Sequence, residues 1–158
     1  MLKRKKMMMM NKIKCIKCAP NKNAEVCTLG TDLPSLQEAV GGYIEFVYPF
    51  DDNVCVMCNE EGKLEHLDWS RPLLDENNAL YDVIAGTCYI MGITNDGGNR
   101  DLTDDEINHY MKLWKYPIEV FKWVLPKGIN DDGFGTKEVI DIRPFDAETG
   151  RKVKAYGR

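Results

Sequence analysis

Several short runs of β-branched and aromatic residues, each closed by turn chemistry, oblige this chain to build a sheet. Residues 12–19 (KIKCIKCA) alternate apolar and polar, and Pro20-Asn-Lys-Asn23 turns them into 24–29 (AEVCTL), which predicts a first hairpin. Residues 43–50 (YIEFVYPF) and 53–59 (NVCVMCN) flank an Asp51-Asp52 turn and predict a second. Residues 87–93 (TCYIMGI) are apolar almost throughout, as expected of a strand buried on both faces, so they belong at the centre of the sheet. A weaker strand is expected at 63–69 and a last one at 137–142.

Helix signals are fewer. Asp32 offers an N-cap, Pro34 sits in the first turn, and Leu33, Leu36, Ala39 and Val40 recur at helical spacing until Gly41-Gly42, which predicts a helix from 33 or 34 to 40. Thr103-Asp-Asp-Glu106 is a capping box, in which the Thr and Glu side chains satisfy each other's orphan amides. Ile107, Tyr110, Met111 and Trp114 then follow at i, i+3, i+4 and i+7 up to Pro117, which predicts a helix over 104–115. Residues 75–84 suggest a helical turn or two, and 118–125 (IEVFKWVL) read as a helix turn, although at that length periodicity also permits a strand.

These elements describe a single α+β domain: a mixed or antiparallel sheet of about five strands with two main helices, a β-grasp-like arrangement being one form it can take. A length of 158 residues, 44% of them hydrophobic, suffices for one core. The expected limits are a disordered basic tail at 1–10, whose run of four Met residues marks an ambiguous start of translation, at Met1 or Met10, with Met10 as the beginning of the folded part, then a domain at 11–145 and a basic C-terminal tail at 146–158.

Charge divides the chain unevenly. All 25 Asp and Glu residues fall between positions 23 and 150, whereas the first 22 residues carry eight Lys and Arg and the last eight carry four. An acidic body repels phosphate backbones and steers toward basic surfaces, so direct nucleic-acid binding by the folded part is not expected. No apolar run approaches the roughly 18 residues that span a bilayer, and the Met7–Met10 run is too short for a signal-peptide core. A cytoplasmic location is therefore expected, with the six Cys residues as thiols.

The sharpest candidate chemistry is a pair of CxxC motifs, Cys15-Ile-Lys-Cys18 and Cys55-Val-Met-Cys58, which together hold the four thiolates of a tetrahedral zinc site. Both lie inside alternating β runs, where residues three apart face opposite sides, so buried structural thiols are the preferred reading and zinc the alternative. His66 and His109 form no paired metal motif and no nucleophile system, and Gly97-Gly98 and Gly133-Phe-Gly135 lack the Lys-Ser/Thr of a phosphate loop. No catalytic residue and no cofactor is expected.

The blocks LQEAVGGYIEFVYPF (36–50), VCVMCNEEGKLEHL (54–67), YDVIAGTCYIMGI (81–93) and LTDDEINHYMKLWKYPIEVF (102–121) resemble the domain-of-unknown-function 3846 family across most of residues 12–121. The resemblance implies a small protein of phages, plasmids or conjugative elements of Firmicutes and similar bacteria, and it implies no particular activity. Relatives often read Asn-Arg after the NEEGKL turn, whereas this chain reads Asp68-Trp69-Ser70-Arg71, so only Arg71 carries over.

The expectation is thus a non-enzymatic accessory protein that binds a host or element-encoded protein through an acidic surface. Trp69 and Tyr43 are the candidate aromatic anchors, Arg71 is an interaction candidate, and Asp104, Asp105 and Glu106 are candidate contact acids. The alternatives are a DNA mimic that inhibits restriction or defence enzymes, and a zinc module built on Cys15, Cys18, Cys55 and Cys58.

Overall fold

A computed structural model describes residues 12–126, 135–154 and 156. The tail expected at 1–10 lies outside them. The main sheet has the order β2(Glu25–Gly30)-β1(Lys12–Cys18)-β7(Cys88–Ile93)-β4(Val54–Asn59)-β3(Ile44–Val47), with the short β8(Asn99–Arg100) also pairing with β7. Both expected hairpins form, and 88–93 is the middle strand. Every ladder among the described residues is antiparallel, so the architecture is α+β without the mixed sheet of a clear β-grasp.

The central strands are apolar on both sides because both faces are covered. On one face Ile13, Cys15, Cys55, Met57, Tyr89 and Met91 pack beneath α1(Leu33–Val40), which contributes Leu36 and Val40. Asp32 caps α1 through the Ser35 amide, and Gly41 ends it at φ 77°, a left-handed conformation that costs glycine little. On the other face Ile16, Cys18, Val54, Val56, Cys58, Cys88 and Ile90 meet Leu73, Val83, Ile84, Tyr110, Trp114 and Ile118. Each fully buried aliphatic side chain adds about 1.5–3 kcal/mol, so two apolar faces per strand are what hold so short a sheet together.

The second face is covered by elements that differ from expectation. Residues 60–66 form turns and no strand; the strand begins later, at β5(Trp69–Leu74), and pairs with β6(Leu80–Ala85). The 75–84 region is therefore a turn and a strand, not a helix. Its Asp-Glu-Asn-Asn sequence is turn chemistry: the Asp75 carboxylate accepts from the Asn77 and Ala79 amides at 2.9 Å each, and Asn78 adopts φ 63°. Residues 118–125 likewise form no helix turn, because β9(Ile118–Pro126) finds a partner in β10(Thr136–Pro144), and cross-strand pairing decides a run whose periodicity is ambiguous.

The C-terminal segment is no free tail over its described residues. Asn23 bonds the Asp146 carboxylate and the Ala147 amide at 2.9 Å each, the Val153 amide reaches the Pro144 carbonyl at 3.0 Å, and the buried Tyr156 donates its hydroxyl to the Tyr116 carbonyl.

Helix α2(Asp104–Leu113) starts at the predicted capping box, with Thr103 Oγ1 accepting from the Glu106 amide at 3.1 Å and Glu106 accepting from the Thr103 amide at 2.9 Å. Glu106 is also held by Arg100 at 2.7 and 3.0 Å, and that hydrogen-bonded guanidinium holds its carboxyl down at about 2. Arg100 lies over Gly92, where any side chain would meet the guanidinium at under 3 Å. Arg100 also reaches the Asn53 and Ile93 carbonyls, so one cation ties α2 to the edges of β4 and β7.

The interior holds a second cation. Arg71, on β5, is completely buried and donates from Nε to Trp114 O at 2.9 Å, from Nη1 to Ser70 O at 2.9 Å and Ala19 O at 3.2 Å, and from Nη2 to Lys22 O at 2.9 Å. Trp114 is the C-cap of α2, so the guanidinium sits at the negative end of that helix dipole. It joins β5, the β1–β2 turn and the end of α2 at a single point. This corrects its expected role: with its guanidinium turned inward onto main-chain carbonyls, Arg71 has nothing to offer a partner.

Replacing Arg71 by Met would take the guanidinium from four main-chain carbonyls, those of Ser70 and Trp114 in buried bonds, and urea unfolding of R71M is expected to show a loss of about 3–5 kcal/mol. At Glu106 the folded-state pKa is depressed to about 2, so its contribution is complete above the ordinary carboxylate range and is lost as pH falls toward 2. E106Q keeps a capping amide but loses the charge; it is expected to be about 1–2 kcal/mol less stable than wild type at pH 7, the gap narrowing between pH 5 and pH 3.

Candidate binding cleft

A concave cleft of about 410 Å³ opens where three segments meet on the α2 side of the molecule. The β3–β4 connection supplies Tyr48, Phe50, Asp51 and Asp52; the β5–β6 hairpin supplies Leu74, Asp75, Glu76 and Tyr81; α2 supplies His109, Tyr110, Leu113 and Trp114. Tyr156 closes one side, tied across by Asn78 Nδ2, which donates to its carbonyl at 3.2 Å. The size is that of an ordinary ligand or side-chain site.

The floor is aromatic and closely packed. The Phe50 ring packs 4.7 Å from Tyr110 and 5.3 Å from Trp114, tilted at 40° and 67°, and both partners are buried. Tyr110 Oη donates to Asp52 Oδ2 at 2.6 Å, which fixes the acidic turn above the floor. Burial first, and then that carboxylate, push the Tyr110 phenol up from its ordinary value, so it remains a proton donor. The rim differs in exposure: Tyr48 and Tyr81 are 66% and 57% exposed and frame the opening. Four carboxylates line the cleft, from Asp51, Asp52, Asp75 and Glu76, and no Lys or Arg stands among its lining residues. Negative charge set beside aromatic faces suits a cation: the ring faces attract it and the acids neutralise it.

The residues singled out from sequence do not converge on this cleft. Tyr43 is exposed just ahead of β3, where its carbonyl accepts from the Glu60 amide at 2.9 Å. Trp69 is half-buried in a groove between the β5–β6 and β9–β10 hairpins, with Lys122 Nζ 5.0 Å above its ring. Asp104 and Asp105 are exposed on the first turn of α2, while Glu106 is already paired with Arg100. His66 is exposed in a turn at φ 56°, and of the two histidines only His109 reaches the cleft.

The thiols of each CxxC are divided by the sheet. Cys15 and Cys55 lie on the α1 face, Cys18 and Cys58 on the opposite face, so the four do not meet around one ion. No group of three or more metal-ligating side chains forms among the described residues. Burial raises both Cys55 and Cys58 to about 11, which keeps them as neutral thiols.

The cleft residues that sequence reasoning passed over had a signal. In Tyr48-Pro-Phe-Asp-Asp52 and Leu73-Leu-Asp-Glu76, apolar strand ends run straight into acidic turns. What was not legible is that the two turns stand side by side.

A family model described as "Domain of unknown function (DUF3846)" matches residues 13–115. The chain belongs to this family. No curated protein and no solved structure matches it. The DUF3846 region takes in the main sheet, both helices, the β5–β6 hairpin, Arg71 with all four of its acceptors, and every cleft residue except Tyr156. The β9–β10 hairpin and the C-terminal segment lie beyond it. No helix of the described residues is long and apolar enough to cross a membrane.

Because Tyr110 anchors the acidic turn, Tyr110→Phe is expected to keep the fold and cost about 1–2 kcal/mol in urea unfolding, with NMR shift changes centred on residues 50–53.

Proposed function

We propose that this domain is a non-enzymatic binding module, an accessory protein of a mobile element, that works in the cytoplasm by seating an arginine- or lysine-bearing segment of a protein partner in the acidic aromatic cleft. The observation that carries this reading is the union, in one concavity, of four carboxylates with two exposed tyrosine faces over a packed aromatic floor. A guanidinium stacks on tyrosine while its edge bonds carboxylates, so both halves of the cleft are used by one side chain. The acidic body adds steering, which speeds encounter with basic surfaces and turns away nucleic acid. DNA mimicry draws less support, since Glu106 is neutralised by Arg100 and only Asp104 and Asp105 of that cluster remain exposed.

Calorimetric titration with a short arginine-rich peptide tests this. Saturable binding is expected, weakening as salt rises, and an acidic peptide of equal length is expected to give no heat. Tyr48→Ala and Tyr81→Ala, both at exposed positions, are expected to lower affinity about tenfold or more without changing the unfolding midpoint. Absence of saturation with the basic peptide at low salt, or unchanged affinity in both variants, refutes the reading.

A further inference from the structure

Strand β1 carries two cysteines that each stand directly opposite another cysteine. Cys18 pairs in register with Cys88 across the interior β1–β7 ladder, where both are fully buried. Cys15 pairs in register with Cys27 across the β1–β2 ladder, and there the two sulfurs are 3.4 Å apart. β2 is an edge strand of the sheet, and Cys27 is only partly buried, whereas Cys15 is sealed beneath α1. The outer pair therefore has one thiol that a small molecule can reach and one behind it that only its neighbour can reach.

We propose that Cys15 and Cys27 form a redox modification site, a dithiol that reacts with low-molecular-weight disulfides through Cys27 and closes to an intramolecular disulfide through Cys15. The backbone already permits the bond. Directly opposed residues of an antiparallel ladder have Cα atoms about 4.5–5.5 Å apart, within the range that disulfides span, and side-chain rotation closes the sulfurs from 3.4 Å to about 2.0 Å. The order of reaction follows from the environment. Cys27 is lowered from its ordinary value, mainly by its hydrogen bond with Cys15 and further by the charge of Lys17. Cys15 is raised, by that same bond and by burial. The accessible partner is thus the better nucleophile and the buried one the resolving thiol.

The steps balance. The Cys27 thiolate attacks one sulfur of the small disulfide, whose S–S bond breaks and releases one thiolate, leaving a mixed disulfide on Cys27. Cys15 then gives its proton to solvent and attacks Cys27 Sγ, expelling the second thiolate. Two protein thiols are oxidised, one small disulfide is reduced to two thiols, and no other reactant is needed. This site is independent of the cleft and of what binds there.

Incubation of the full chain with excess oxidised glutathione at pH 8, followed by mass spectrometry without reductant, tests the proposal. The expected product has lost two hydrogens, titrates four thiols after unfolding where the untreated chain titrates its six, and yields a peptide pair joining Cys15 to Cys27. Cys15→Ser is expected to stop at a single glutathione adduct on Cys27, and Cys27→Ser to take up no glutathione at position 15. Should either variant misfold, the peptide map of the wild-type chain still decides. All six thiols remaining, a stable glutathione adduct on wild-type Cys27, or a link between Cys18 and Cys88 in place of the outer pair would each overturn the proposal.

Discussion

The buried guanidinium of Arg71 is the constraint around which the other elements are arranged. A cation taken out of water costs several kcal/mol unless its donors are met, and here the four acceptors come from three separate parts of the chain: the β1–β2 turn, the start of β5 and the C-cap of α2. All four are main-chain carbonyls. Carbonyls at turns and helix ends are the orphan groups that a fold must satisfy somehow, so the arginine and the unfinished backbone solve each other's problem. With α2 and the β5–β6 hairpin held against the same face of the sheet, Tyr110, Trp114 and Leu74 come to line one concavity. The cleft therefore rests on a residue that never touches its contents.

The same face-by-face logic decides the fate of the cysteines. In a strand, spacing of three places side chains on opposite sides, and β1 and β4 both obey it, sending Cys15 and Cys55 under α1 and Cys18 and Cys58 toward α2 and the hairpins. The CxxC spacing that suggests a metal site in a loop means something else in a ladder. There the relevant partner of a cysteine is the residue across the sheet, and both thiols of the first motif meet another thiol at that position, Cys27 for one and Cys88 for the other.

Much of the sheet was legible because its signals are local. The alternation in 12–19, the turn at Pro20–Asn23, the unbroken apolar run 88–93 and the Thr103–Glu106 capping box each specify their element without reference to the rest of the chain. The failures share the opposite character. Residues 75–84 and 118–125 carry apolar spacings compatible with helix, and only pairing with 69–74 and 136–144 makes them strands. Arg71 looked like a surface residue because charge usually means exposure; nothing local announces that three distant carbonyls, those of Ala19, Lys22 and Trp114, await it. Tyr43 and Trp69 are aromatic and near turns, as anchors often are, yet Trp69 is shared between hairpins and Tyr43 lies outside the cleft lining.

The boundary of the family match divides the molecule in an informative way. Residues 13–115 contain the floor of the cleft, its acids and the arginine that sets their geometry, so the concavity is a property of the DUF3846 domain itself. The β9–β10 hairpin and the segment after it add one side chain to that site, Tyr156, whose ring is buried and whose carbonyl is gripped by Asn78 on the opposite rim. A buried tyrosine with both ends bonded fixes the distance between the β5–β6 turn and Tyr116, just past the end of α2. The extension thus acts on the cleft as a brace. In this chain the width of the opening is set partly by sequence outside residues 13–115, through Tyr156, which is bonded at one end to Asn78 within them and at the other to Tyr116 just beyond.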